Sequence, residues 1–135
     1  MVRSLLDVMS RKKSVLIIDD EEDFTHLLKL NLENTGRFKV FSASDGQSGV
    51  KLVQRKRPDV VLLDIMMPGM DGFEVLEKIK GSVKTYEIPV IMLTALDNEE
   101  YRSEARGFFA GEYLVKPVEL DKLISTIDRV AIYGQ

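Results

Sequence analysis

Short apolar runs alternate along this chain with stretches whose apolar residues recur at helical spacing. Residues 14–19, SVLIID, form a continuous apolar strand candidate, and DVVLLD at 59–64 and IPVIMLTA at 88–95 repeat the type. FKVFSA at 38–43 alternates in the manner of a strand, and EYLV at 112–115 is a shorter one. Between the strands, FTHLLKLNLEN at 24–34 places Phe24, Leu27, Leu28 and Asn31/Leu32 at helical spacing, with Gly36 as its stop. Residues 44–58 open with cap-type side chains and close with Arg55, Lys56 and Arg57 before Pro58, which suits a helix, its dipole and a solvated basic end. Residues 71–80 read as a helix with Asp71 and Glu74 spaced as a capping box. A weaker helix, with few apolar anchors and a Gly107, is predicted at 97–109. The last, at 119–132, puts Leu120, Leu123, Ile124 and Ile127 on one face.

Five strands therefore alternate with five helices. Strands apolar on both faces belong to a parallel sheet covered on both sides, which gives an α/β, doubly wound, three-layer sandwich. A chain of 135 residues supports one such core. The expected organisation is a domain over 14–132, an N-terminal tail at 1–13 and a C-terminal tail at 133–135. A net charge of −3 offers no basic footprint, so direct nucleic-acid binding is not expected. The absence of cysteine excludes disulfides and thiolate metal sites. No apolar run has membrane-spanning length, and MVRSLLDVM lacks a cleavage-site pattern, so the expected location is cytoplasmic, away from membranes. His26, the only histidine, reads as a surface or groove residue rather than a ligand.

Two strands run straight into carboxylates. IIDDEED supplies Asp19 and Asp20, and VVLLD supplies Asp64. Ligands of an open parallel sheet sit beyond the carboxyl ends of its strands, where strand order reverses. If the first and third strands are neighbours there, the three acids share a pocket. Two like charges about 4 Å apart repel by about 4 kcal/mol at an effective dielectric near 20, so the cluster must take up protons or a cation. Oxygen donors at a partly open site suit Mg²⁺. The fourth strand brings the Thr94 hydroxyl to the same edge, and the fifth is followed by the Lys116 ammonium. A metal, a cation and a hydrogen-bond donor around one carboxylate describe a phosphoryl-transfer site with Asp64 as nucleophile.

VLIIDDEED, VVLLDIMMPGMDG, PVIMLTA and YLVKP, each in order at a strand end, resemble the receiver domain of two-component response regulators, a chemotaxis-regulator-like pattern spanning roughly 14 to 132. The resemblance implies a flavodoxin-like sheet of strand order 2-1-3-4-5. It implies that Asp64 takes a phosphoryl group from a histidine kinase or histidine phosphotransfer protein, and that the chain turns over no external substrate. Asp20, Asp64 and the backbone carbonyl of Met66 would ligate Mg²⁺, with Asp19 assisting. Lys116 would pair with the phosphoryl oxygens, near the backbone of Ala95, and Thr94 would report their arrival to Tyr113, an aromatic switch. The Lys116–Pro117 bond is expected to be cis, and Pro68-Gly69 to hold the turn after the acceptor. Met66 and Leu96 would border the path of the hydrolytic water, favouring a long-lived phosphorylated state. Output, to a downstream protein or an output domain, is expected from the face of the fourth helix, fifth strand and fifth helix.

Two stretches depart from the family pattern, FAGE at 109–112 and Val118, and both lie on or near that output face. Three other readings compete. A phosphatase of the haloacid dehalogenase type needs a second acid two residues after its nucleophile, where this chain has Met66. A flavodoxin-like redox module needs a hydroxyl- and glycine-rich loop where this chain has DDEED, which repels phosphate. A receiver-shaped scaffold that is never phosphorylated would be expected to lack one of the key residues, and none is missing.

Overall fold

A computed structural model describes residues 11–133. Five strands, β1 (Lys13–Ile18), β2 (Phe38–Ala43), β3 (Val60–Leu63), β4 (Val90–Thr94) and β5 (Glu112–Val115), form one parallel sheet in the order β2-β1-β3-β4-β5. The helices are α1 (Glu22–Asn34), α2 (Gly46–Lys56), α3 (Gly72–Lys80), α4 (Glu99–Gly107) and α5 (Leu120–Tyr133). The expected class and strand order are thus observed. Most of the predicted tail at 1–13 lies outside the described residues, but Lys13 already pairs with Phe38 in the sheet, and α5 reaches Tyr133.

Alternate residues of each central strand feed two separate cores, because successive side chains of a strand point to opposite faces. Val15 and Ile17 join Val60, Leu62, Ile91 and Leu93 beneath α1 and α5. Leu16 and Ile18 join Val61, Leu63, Val90 and Met92 beneath α2, α3 and α4. This two-sided burial is why those strands read as unbroken apolar runs. On α5, Leu123 and Ile127 are buried and Leu120 and Ile124 pack against them at the margin.

The phase of α1 differs from the sequence reading. Its buried stripe is Thr25, Leu28 and Leu32, whereas Leu27 is 60 % exposed and Asn31 is exposed. With apolar residues at 24, 27, 28, 30 and 32, two helical phases are nearly equivalent, and the position of β1 and β2 underneath selects the one that turns Leu27 outward. Arg55 and Lys56 form the exposed basic end of α2, and His26 is exposed.

Candidate functional site

Three strand ends build the site. Beyond β1, the Asp19 N–H donates to the Ala43 carbonyl, and beyond β3 the Asp64 N–H donates to the Ile18 carbonyl, so both ladders continue one residue past the strands. Asp19 and Asp64 thereby emerge side by side, buried, with the more exposed Asp20 next to them. One carboxylate oxygen from each lies within 4.8 Å of the others. Beyond β5, the Lys116 N–H donates to the Thr94 carbonyl at 2.8 Å, which carries the lysine over the same edge. The Lys116–Pro117 bond is cis.

The Lys116 side chain is 11 % exposed and bridges acids. Its Nζ donates to Asp19 Oδ2 at 2.8 Å and to Glu21 Oε1 at 2.8 Å, and lies 3.6 Å from Asp64 Oδ2. It also sits 4.1 Å from the centre of the Phe24 ring, a cation–π contact. Burial alone would lower its pKa, but the two hydrogen-bonded carboxylates outweigh that and hold it above the ordinary value. Burial pushes the Asp19 carboxyl above its usual range, against the pull of Lys116 and of the Glu21 N–H that Asp19 Oδ1 accepts at 2.9 Å. A carboxylate cluster that one ammonium does not fully offset has the electrostatics and the all-oxygen donor set that suit a hard divalent cation.

Asp64 is oriented from its own corner. Its Oδ1 accepts the Ile65 N–H at 2.8 Å, and the Gly72 N–H at the start of α3 returns to the Ile65 carbonyl at 2.9 Å. Between them the chain turns through Met66, 63 % exposed, and through Pro68 and Gly69, the latter at φ +77°. That dihedral costs glycine little and other residues more. Asp71 caps α3 by accepting the Glu74 N–H, with Glu74 returning to the Asp71 N–H.

Thr94 is fully buried, and its Oγ1 accepts the Leu96 N–H at 3.4 Å; Ala95 between them is exposed. Tyr113 donates its hydroxyl to the Leu96 carbonyl at 2.6 Å, and the Arg102 guanidinium lies 4.8 Å over its ring. Burial raises the Tyr113 pKa, so the hydroxyl stays protonated as a donor at neutral pH. Asp19, Asp20, Asp64 and Lys116 are one cluster, while Leu96 links Thr94 to Tyr113 in a second. In the divergent FAGE stretch, Phe109 is 77 % exposed at φ +65°; Val118 packs against the α1–α5 core. The sequence reading missed Glu21 and Phe24 as partners of Lys116. The signal was present in the acid run after β1, but nothing local says which of those acids faces a lysine 95 residues away.

The model of the response regulator receiver domain family matches residues 15–128. Among solved structures, the chain is similar to chemotaxis protein CheY4 of Vibrio cholerae, with 30 % identity, 89 % of this chain and 99 % of that one covered, and a TM-score of 0.83. It is similar to the receiver domain of Francisella response regulator 1452 at 29 % identity, covering 92 % and 100 %, with a TM-score of 0.82. The receiver domain of the Pseudomonas aeruginosa sensor histidine kinase PA1611, solved with a magnesium ion coordinated in its active-site cleft, shares the fold at 24 % identity, covering 90 % and 98 %, with a TM-score of 0.81. No described helix is long and apolar enough to cross a membrane.

Proposed function

The chain belongs to the response regulator receiver family, and on that footing we propose that residues 14–132 act as a phosphorylation-driven switch whose acceptor is Asp64. The observation that carries this reading is the juxtaposition of Asp19, Asp20 and Asp64 within 4.8 Å, with the Lys116 ammonium 3.6 Å from Asp64. The Asp64 carboxylate attacks the phosphorus of a phosphohistidine on a histidine kinase or phosphotransfer protein. The P–N bond breaks, and the imidazole nitrogen keeps its electron pair and takes up a proton. Asp19, Asp20, Asp64 and the Met66 carbonyl are the groups that would hold Mg²⁺, which when bound supplies charge neutralisation for the incoming phosphoryl oxygens.

Lys116 releases Asp19 and Glu21 to pair with the phosphoryl group, which the Ala95 backbone borders. Thr94 turns its hydroxyl from the Leu96 N–H toward the same oxygens. Because Leu96 also accepts from Tyr113, that movement reaches the α4–β5–α5 surface, where a downstream protein or output domain reads it. Leu27 and Leu30, 60 % and 45 % exposed on α1, support kinase docking on that helix. Met66 and Leu96 offer no polar handle to a hydrolytic water, which supports a slowly decaying phosphorylated state. A dehalogenase-type phosphatase remains disfavoured by Met66.

Incubation with acetyl phosphate and Mg²⁺ is expected to add one phosphate to the intact mass. Asp64→Asn protein, or wild type with the cation chelated, should gain none. Equal labelling of Asp64→Asn would sink the acceptor assignment, and no labelling of wild type would favour the unphosphorylated scaffold.

A further inference from the structure

Beside the acid pocket, between the β3–α3 corner and α4, lies an open groove of about 670 Å³ that shares Asp20, Met66 and Leu96 with the phosphoryl site and extends beyond it. Its floor is apolar: Ile65, Met67 and Phe73 are buried there. Its walls are the half-buried Leu96 and Tyr101 and the exposed Met66. A thioether left in solvent beside such a floor is an adaptable apolar contact with nothing in the described chain to cover it. The groove's charged residues are Asp20, Asp71 and Glu104, and no lysine or arginine lines it. None of the three acids forms an ion pair among the described residues. The other concavities near the site differ. The one beside α1 holds His26 and Lys29, and the one between α4 and β5 holds Arg102 and Arg106.

This composition selects an occupant. A phosphoryl donor carries negative charge to Asp64, and an acidic rim opposes it. The opposition is offset if the donor's own flanks are positive, and the apolar floor is covered if they are also apolar. Asp20 belongs to both the groove and the carboxylate cluster, so a segment seated in the groove ends next to Asp64. We infer that this groove seats the polypeptide flanking the donor's phosphohistidine, a segment that combines aliphatic side chains with lysine or arginine. The inference rests on the receiver reading above and names the donor's chemistry. The aliphatic groups fill the space between Met66 and Tyr101, and a cation meets Glu104.

The test uses two synthetic phosphohistidine peptides, one flanked by leucine and lysine, the other by leucine and glutamate. Transfer to Asp64 is timed at low salt, and each protein's rates are divided by its own rate with acetyl phosphate, which has no flanks. The lysine peptide should react about tenfold faster than the glutamate peptide, the scale on which rim charges alter association. Glu104→Lys should reduce that ratio about threefold or more, while Glu22→Lys, on α1 across the pocket, should reduce it less. Equal peptide rates on the wild type, or an equal loss from Glu22→Lys, overturns the groove assignment. Labelling by acetyl phosphate without peptide discrimination removes this inference alone. Absence of labelling by any donor removes the receiver reading beneath it.

Discussion

The β3–α3 and β4–α4 corners lie side by side, and each delivers a key residue, Asp64 or Thr94, but they are built to different standards. In α3, Phe73, Val75, Leu76 and Ile79 are buried and a capping box closes the first turn. In α4, equally long, only Ala105 is buried; Tyr101 leans on Phe73 at 6.0 Å between ring centres, Arg102 is half-buried, and the rest is polar or glycine and exposed. A helix with one buried residue has little to lose by moving, whereas α3 cannot shift without opening the core. The proposed nucleophile therefore stands on the firm corner. The proposed reader of its phosphorylation stands on the loose one. Rigid placement serves in-line chemistry, and cheap displacement serves a signal.

One glycine should break the comparison most sharply. A Cβ on Gly72 would lie 2.2 Å from the Asp64 carbonyl oxygen and 2.7 Å from the Ile65 Cα, backbone atoms that cannot swing aside. Gly72→Ala is expected to cost about 3 kcal/mol or more, the upper range for overpacking, and to lower Tm by roughly 10 °C. It should also slow phosphorylation by acetyl phosphate, since Asp64 itself is displaced. A thermal melt matching wild type would show that the β3–α3 corner is not rigid.

The contrast between the corners was partly legible beforehand. Asp71 and Glu74 carry a cap signal that depends only on local spacing, and the apolar residues of 71–80 settle its buried face. The weakness of 97–109 was legible from its lack of apolar anchors. Asp19, Asp20 and Asp64 could be placed together because a parallel sheet puts every strand's carboxyl end at one edge. What escaped was set by tertiary contact. Leu27 faces solvent because the strands below choose between two helical phases, and Glu21 meets Lys116 because of a sheet crossing that no local pattern encodes. Lys13 looks like tail until its pairing with Phe38 is seen.

The N-caps give the next largest effect. Asp71→Ala removes the acceptor of the Glu74 N–H, and Asn98→Ala removes the acceptor of the Tyr101 N–H at 2.9 Å. Each bond is worth about 1 kcal/mol. The loss at α3 should appear in full in global unfolding. At α4 the loss to global stability is limited by the free energy with which that helix already opens. Asn98→Ala should accelerate amide exchange throughout 99–107 more than it lowers the denaturation midpoint. Equal effects of the two variants on the midpoint would mean that α4 unfolds only with the whole domain.

Gly107 is the counterpart of Gly72 with the opposite sign. No atom outside its own surroundings lies within 4 Å of a Cβ built there, and its φ is not left-handed. Gly107→Ala should stabilise α4 by about 0.5–1 kcal/mol through helix propensity alone. Exchange of the α4 amides should slow. If α4 must move for output, the phosphorylation-induced change in exchange across α4 should shrink while the labelling of Asp64 is unaffected. A variant with slower exchange in the resting state and an undiminished response would show that output does not require α4 to loosen.

The smallest effect concerns the far end of α3. Lys80 ends that helix and donates to the Tyr86 and Ile88 carbonyls at 3.0 and 2.6 Å, tying it to the chain entering β4. No carboxylate pairs with it among the described residues, and burial pushes its pKa below the ordinary value of 10.5. Between that lowered value and 10.5, the unfolded chain binds the proton that the folded chain has released. Stability therefore rises with pH across this window, and the charged form is the less stable one below it. Urea midpoints of wild type and Lys80→Met, measured from neutral pH upward, isolate it because other titrating groups cancel in the difference. The wild type should gain on the variant as pH approaches 10.5. A difference that stays flat, or falls, would mean that the two carbonyls repay the burial of the ammonium in full and that the far end of α3 is held by a charge at no cost.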